Sequence, residues 1–150
     1  MIQYPLFEHQ AWKLKMTAKT AKKRFKQTLH DLKMAKENIE IGGYDVAAFL
    51  AHQSVEKLLK GVFALKKRKI PKSHYIDELA QMLELSNEVM APILSFTADY
   101  ALALHLDVTD SVPYEQYNEK ISREKVEAAE KTFEFLRDSY KTLIEGDNHE

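Results

Sequence analysis

Gln53, Glu56 and Lys60 follow one another at spacings of three and four. On a helix this places an amide, a carboxylate and an ammonium along one side, with Glu56 four residues before Lys60, the favourable order for an ion pair. Such a stripe has three readings: a solvated face, a contact surface for another chain, or a polar ligand site. A solvated pair of this kind contributes only about 0.3–0.5 kcal/mol. Phe49 and Leu50 lie next to the stripe. Large apolar residues beside polar ones are what a protein–protein contact presents, so they favour the second reading.

A second group is cationic. Lys15, Lys19, Lys22, Lys23, Lys26, His30 and Lys33 recur on the side of one helix opposite its apolar stripe, and KKRK at 66–69 adds another cluster. A row of this kind can track phosphates, which makes Lys19, Lys22, Lys23 and Lys26 a candidate nucleic-acid surface. It can equally be a solvated face, or dock on an acidic chain. Acidic residues dominate elsewhere, including Asp77, Glu78, Glu84, Glu88, Asp107, Asp110 and Glu115.

Metal and nucleophile chemistry find less support. His52 and Glu56 are one helical turn apart, but one pair does not hold a metal. The Glu-x-x-His spacing of helical di-metal sites does not occur. There is no Cys, hence no thiolate nucleophile, disulfide or Cys-ligated zinc. A phosphate-binding Gly loop, a zinc-protease motif and a nucleophile elbow are all missing from the sequence. No metal and no cofactor are expected. His74, after the turn containing Pro71, reads as a capping or turn residue rather than a ligand.

The elements that carry these residues are helical. The 150 residues suit one domain. With 45% hydrophobic and 30% charged residues the chain reads as globular, and only 4 Gly and 4 Pro favour long helices over a sandwich or barrel. The net charge of -1 gives no overall pull toward nucleic acid or membrane. No segment has the order of a secretion signal or the length of a membrane span, so the cytoplasm is the expected location.

Helical periodicity predicts a first helix over residues 16–40, after an N-terminal arm at 1–15. Leu14, Ala18, Ala21, Phe25, Leu29, Leu32, Ala35 and Ile39 face inward, and Gly42-Gly43 ends the helix. A second helix spans 44–67, with Ala47, Ala51, Val55, Leu58, Leu59, Val62 and Leu65 as its core face. Pro71 breaks the chain there. A short helix starting at Ser73 or His74 buries Ile76, Leu79, Ala80 and Leu83. The following segment, 89–105, is apolar on nearly every side and is expected to be surrounded by protein. After a long connection at 106–121, Ser122 is expected to cap a last helix over 123–145, with Val126, Ala129, Phe133, Leu136, Tyr140 and Leu143 inward. Residues 147–150 form a tail. The predicted fold is an all-α, up-and-down four-helix bundle with one additional short helix.

Residues 51–83 resemble the HEPN family of small all-helical domains. Ala51, Gln53, Glu56, Lys57, Leu59 and Lys60 match its pattern A-x-Q-x-x-E-K-x-L-K, and Pro71, His74 and Leu79 match the following P-x-x-H-x-x-x-x-L. AKENIEIGGYDVAAF at 35–49 resembles the turn that precedes them, and the likeness extends over about residues 18–143. It implies a homodimeric bundle that partners a minimal nucleotidyltransferase-type protein, as in toxin–antitoxin-like pairs, with nucleotide or RNA as further ligands and no membrane. Some members are metal-independent RNases with an Arg and a His four to six residues apart on a late helix. This sequence departs from that pattern. His105 has no Arg at that distance before it, and DVTDSVPYEQY stands where many relatives carry Arg-Tyr-Pro-Asp. Arg68 and His74 have the bare spacing but straddle Pro71. The resemblance therefore implies a non-catalytic interaction or nucleotide-binding module. An RNase or RNA-binding protein using His74 or His105 is the alternative. Phe49, Gln53, Glu56, Lys60 and His74 form the candidate ligand or partner surface.

Overall fold

A computed structural model describes residues 6–96 and 112–145. Two long helices, α1 (Leu6–Glu40) and α2 (Tyr44–Leu65), form an antiparallel hairpin. α3 (Ile76–Met82) and α4 (Asn87–Leu94) are short, and a 3-10 turn (Pro113–Gln116) leads into α5 (Glu119–Glu145). α5 packs along α1 and α2, α4 lies on α5, and α3 packs on α2 and α4. The described residues are all helix and connection, in agreement with the all-α bundle the periodicity predicts.

One core joins the helices. Ala21, Phe25, Leu32, Ala35 and Ile39 of α1 meet Ala51, Val55, Leu58, Leu59 and Val62 of α2, closed by Ile76, Leu79, Ile93, Phe96, Val126, Ala129 and Leu136. A fully buried Leu or Phe contributes roughly 1.5–3 kcal/mol before conformational entropy is subtracted. Gly61 sets how closely α1 and α2 approach. A Cβ there would lie 2.6 Å from Cε1 of Phe25, so the ring fits only because the side chain is missing.

Three helices end in the same way. Each passes through a left-handed residue whose N–H, with that of the next residue, turns back to orphan carbonyls. At α1 the residue is Gly42 (φ 80), with Gly42 N bonded to Ile39 O and Gly43 N to Asn38 O. At α2 it is Lys67 (φ 58), and at α3 it is Glu84 (φ 55). Arg68 completes the α2 end: its N–H donates to Phe63 O and its guanidinium sits 4.9 Å above the Phe63 ring.

Several expectations change. α1 begins at Leu6, not near residue 16, so residues 6–15 of the expected arm belong to the helix. Leu29 is 46% exposed, because Thr28 and Asp31 take the inward positions on that turn. Ser122 is not the cap of the last helix. Asn118 takes that place, its Oδ1 accepting from Ile121 N at 2.8 Å, while the buried Ser122 hydroxyl donates to Tyr44 O at 2.7 Å and ties α5 to the start of α2. The central helix among the described residues is α2, buried on nearly every side. Of the segment expected at 89–105, the described part forms the short α4, with Ile93 buried and Leu94 55% exposed; residues 97–111, His105 among them, lie outside the described residues. The side chains of Leu14, Tyr140 and Leu143 also lie outside them.

Polar ties fix the pairing. Thr28 Oγ1 donates to Ser54 O at 3.2 Å, and Lys57 Nζ meets Asp31 Oδ2 at 2.6 Å between α1 and α2. Lys36 pairs with Glu130 and Arg123 with Glu40 between α1 and α5. The hydrogen bonds that Arg123 donates to the Glu119 carboxylate, reinforced by Glu40, hold the pKa of this exposed guanidinium above its ordinary value. Lys125 donates to Ser95 O and lies over the Phe96 ring, joining α5 to the end of α4.

Candidate functional site

The stripe on α2 is not a solvated face. Glu56 is 5% and Lys60 9% exposed, Gln53 is half-buried, and only Phe49, at 48%, opens widely to solvent. The cover comes from later in the chain. Ile70 packs on the core and α3 packs on α2, so the intervening connection carries His74 over the stripe. His74 Nδ1 lies 2.5 Å from Glu56 Oε1, and the same oxygen is 3.5 Å from Lys60 Nζ. One buried carboxylate thus has an ammonium on its own helix and an imidazole from the turn. The His74 side chain is 61% exposed beyond that contact.

Arg68 does not join this group. Besides stacking on Phe63, it donates from Nη1 to Met82 O at 3.1 Å, locking the end of α2 to the end of α3. Ser73 prepares the next helix, accepting from Tyr75 N at 3.1 Å and donating to Glu78 Oε2 at 2.8 Å. The structure therefore gathers Glu56, Lys60 and His74, leaves Gln53 and Phe49 beside them on the same helix, and sends Arg68 elsewhere.

Spacing alone did not reveal the Asp31–Lys57 pair. Asp31 is 4% exposed and also accepts from Gln27 Nε2 at 2.9 Å. The signal available was its isolation: it is the single acid between Glu8 and Glu37. His52 is buried with its ring edge-on to Phe96, the ring centroids 6.2 Å apart. Among the described residues no three His, Asp or Glu side chains stand close enough to hold a metal ion, and no helix is long and apolar enough to cross a membrane.

The basic row keeps its outward place. Lys19, Lys23, Lys26, His30 and Lys33 are exposed, and Lys22 is half-buried.

The model of the HEPN domain matches residues 21–143, most of the chain. The chain belongs to the HEPN family. Two solved structures share its fold. A crystal structure of an archaeal HEPN homologue aligns with a TM-score of 0.64 at 24% identity, covering 79% of this chain and 95% of its own. One from Thermus thermophilus aligns with a TM-score of 0.68 at 20% identity, covering 79% and 97%. No curated protein matches the chain. In this HEPN domain the matched region takes in the whole Glu56–Lys60–His74 group and begins just after Lys19.

Proposed function

We propose that this HEPN domain is a non-catalytic interaction module, a homodimer that partners a minimal nucleotidyltransferase-type protein, with nucleotide bound nearby. One observation carries the reading. The groups with acid–base or electrophilic capacity near the α2–α3 turn are engaged within the fold: Glu56 with Lys60 and His74, Arg68 with Phe63 and Met82. What α2 offers outward is Phe49, flanked by Val46 at 43% exposure and by half-buried Gln53. A large exposed aromatic on a rigid helix is the kind of anchor that protein interfaces use.

Light scattering tests the contact surface. The wild-type chain should run at twice its 17.4 kDa mass, and Phe49→Glu should move toward the single-chain mass with helicity unchanged. Equal masses for both proteins would remove Phe49 from the interface.

A specific geometry favours a second reading, an RNase. A buried carboxylate within 2.5 Å of one ring nitrogen of a largely exposed imidazole is how a general base is held in position. Lys60 would then stabilise developing negative charge. RNA cleavage that disappears in His74→Ala would replace the first reading with this one.

A further inference from the structure

We infer that the end of the bundle formed by the α1–α2 turn and the start of α5 docks a basic amphipathic helix of a partner protein. The inference rests on the reading of this domain as an interaction module and gives the partner's contacting segment a chemistry. It does not use the Phe49 dimer contact.

Two segments far apart in sequence meet at this end. The Ser122 hydroxyl donates to Tyr44 O at 2.7 Å and Arg123 reaches Glu40, so α5 starts where α1 ends and α2 begins. The 3-10 turn at Pro113–Gln116, just ahead of α5, packs on α2. Ile41, in the turn between α1 and α2, thus shares an end of the bundle with Val112 and Tyr114. Ile41 is 81% and Tyr114 64% exposed, the two most open large apolar side chains among the described residues, and Val46 and Val112 are exposed with them. The exposed Leu29, Tyr75, Met82, Leu94 and Phe135 are spread over other parts of the fold. Scattered apolar residues are ordinary on a surface, whereas several gathered at one end mark a contact site.

The rim of this end is acidic. Residues 37–49 hold Glu37, Glu40 and Asp45 and no Lys or Arg, and residues 112–123 hold Glu115 and Glu119 against Lys120 and Arg123. Arg123 is already held by Glu40 and Glu119. Among the described residues Asp45 and Glu115 make no ion pair. Such a rim repels phosphate backbones and anionic lipid, and an uncharged partner would desolvate the carboxylates without pairing them. Lys or Arg flanking an apolar stripe satisfies both the rim and the patch. The described residues are helix and connection, with no strand edge to which an extended chain could add, so the partner's segment docks as a helix.

Fluorescence anisotropy with a labelled peptide of Leu, Ala and Lys, its leucines one helical turn apart, tests this. The peptide should bind the full chain, with affinity falling as salt rises. Ile41→Ser with Tyr114→Ser should weaken binding about tenfold or more. Asp45→Asn with Glu115→Gln should weaken it and flatten its salt dependence. Met82→Ser with Leu94→Ser, exposed apolar positions on α3 and α4, should bind as wild type. Circular dichroism confirms that each variant keeps its helices. Phe49→Glu, which tests the dimer, is not among these variants, so either idea can fail alone. Four results would overturn the inference: no binding at low salt, equal affinity for a scrambled peptide or one with Glu for Lys, wild-type affinity in the Ile41/Tyr114 variant, or a mass without peptide that falls in that variant or grows in wild type as salt is lowered. The last would give the patch to a second copy, whose exposed Leu29 among Lys22, Lys26 and Lys33 has the same chemistry.

Discussion

The imidazole of His74 and the carboxylate of Glu56 meet at 2.5 Å, joining a turn to the middle of a central helix eighteen residues earlier. The two sides of that contact differ: the Glu56 side chain is 7% exposed and that of His74 61%. Removing one or the other should therefore have unequal effects. Glu56→Ala leaves Lys60, nearly buried, without its carboxylate and should cost about 3–5 kcal/mol. His74→Ala removes a mostly solvated partner and should cost no more than about 1 kcal/mol. Converting Glu56 to Leu and Lys60 to Met together should restore most of the loss, since an apolar pair of similar volume replaces a buried ion pair well. Urea denaturation of the four proteins measures all three differences.

Gly61 supplies a prediction opposed to simple helix propensity. Gly→Ala inside a helix ordinarily gains about 1 kcal/mol. Here the new methyl meets the fully buried Phe25 ring at 2.6 Å, and overpacking of that kind costs about 1–3 kcal/mol. Gly61→Ala should lower the thermal midpoint. Adding Phe25→Leu should recover part of it, giving a coupling between the two sites in a double-mutant cycle.

Lys67 and Glu84 occupy left-handed backbone positions that favour glycine. Both are exposed, so their side chains contribute little packing. Lys67→Gly and Glu84→Gly should each stabilise the fold by about 0.5–1 kcal/mol, the relief of the left-handed penalty less the added freedom of the unfolded chain. A rise in melting temperature for each variant, additive in the pair, is the expected outcome.

Leu58→Asp places an unpaired charge in the core at a residue with no exposure and should abolish cooperative unfolding. Phe133 shares the inward stripe of α5 but is only half-buried, so Phe133→Asp should lower the midpoint and leave a cooperative transition. An unchanged midpoint for Leu58→Asp would contradict the core assignment.

The core was legible where one helix carries its own evidence. Phe25, Leu32, Val55, Leu58, Leu79 and Val126 recur at helical spacing and are buried where that spacing puts them. The Gly42 terminus was legible for the same local reason. What could not be read came from other parts of the chain. Nothing near Glu56 and Lys60 indicates that a distant turn will cover them, so spacing gave an ion pair but not its burial. Lys67 and Glu84 end their helices without glycine, because reverse hydrogen bonds and packing of the next residue offset the backbone strain. Asn118 outcompetes Ser122 as a cap because α5 starts earlier, which frees the Ser122 hydroxyl for Tyr44. In the candidate site, Gln53, Glu56 and Lys60 were legible as one stripe of α2, whereas the contact of His74 with Glu56 depends on the path of the turn. That Arg68 would turn away to Phe63 and Met82 was not legible either, since its reach depends on where α3 ends.

The claim that this HEPN domain binds rather than cleaves is tested most directly by incubating the purified protein with end-labelled RNA and resolving the products. Wild type and His74→Ala are run side by side. The RNA should remain full length with both. Fragments that accumulate with wild type and vanish with His74→Ala would contradict the claim and make the Glu56–His74 contact part of a reaction centre.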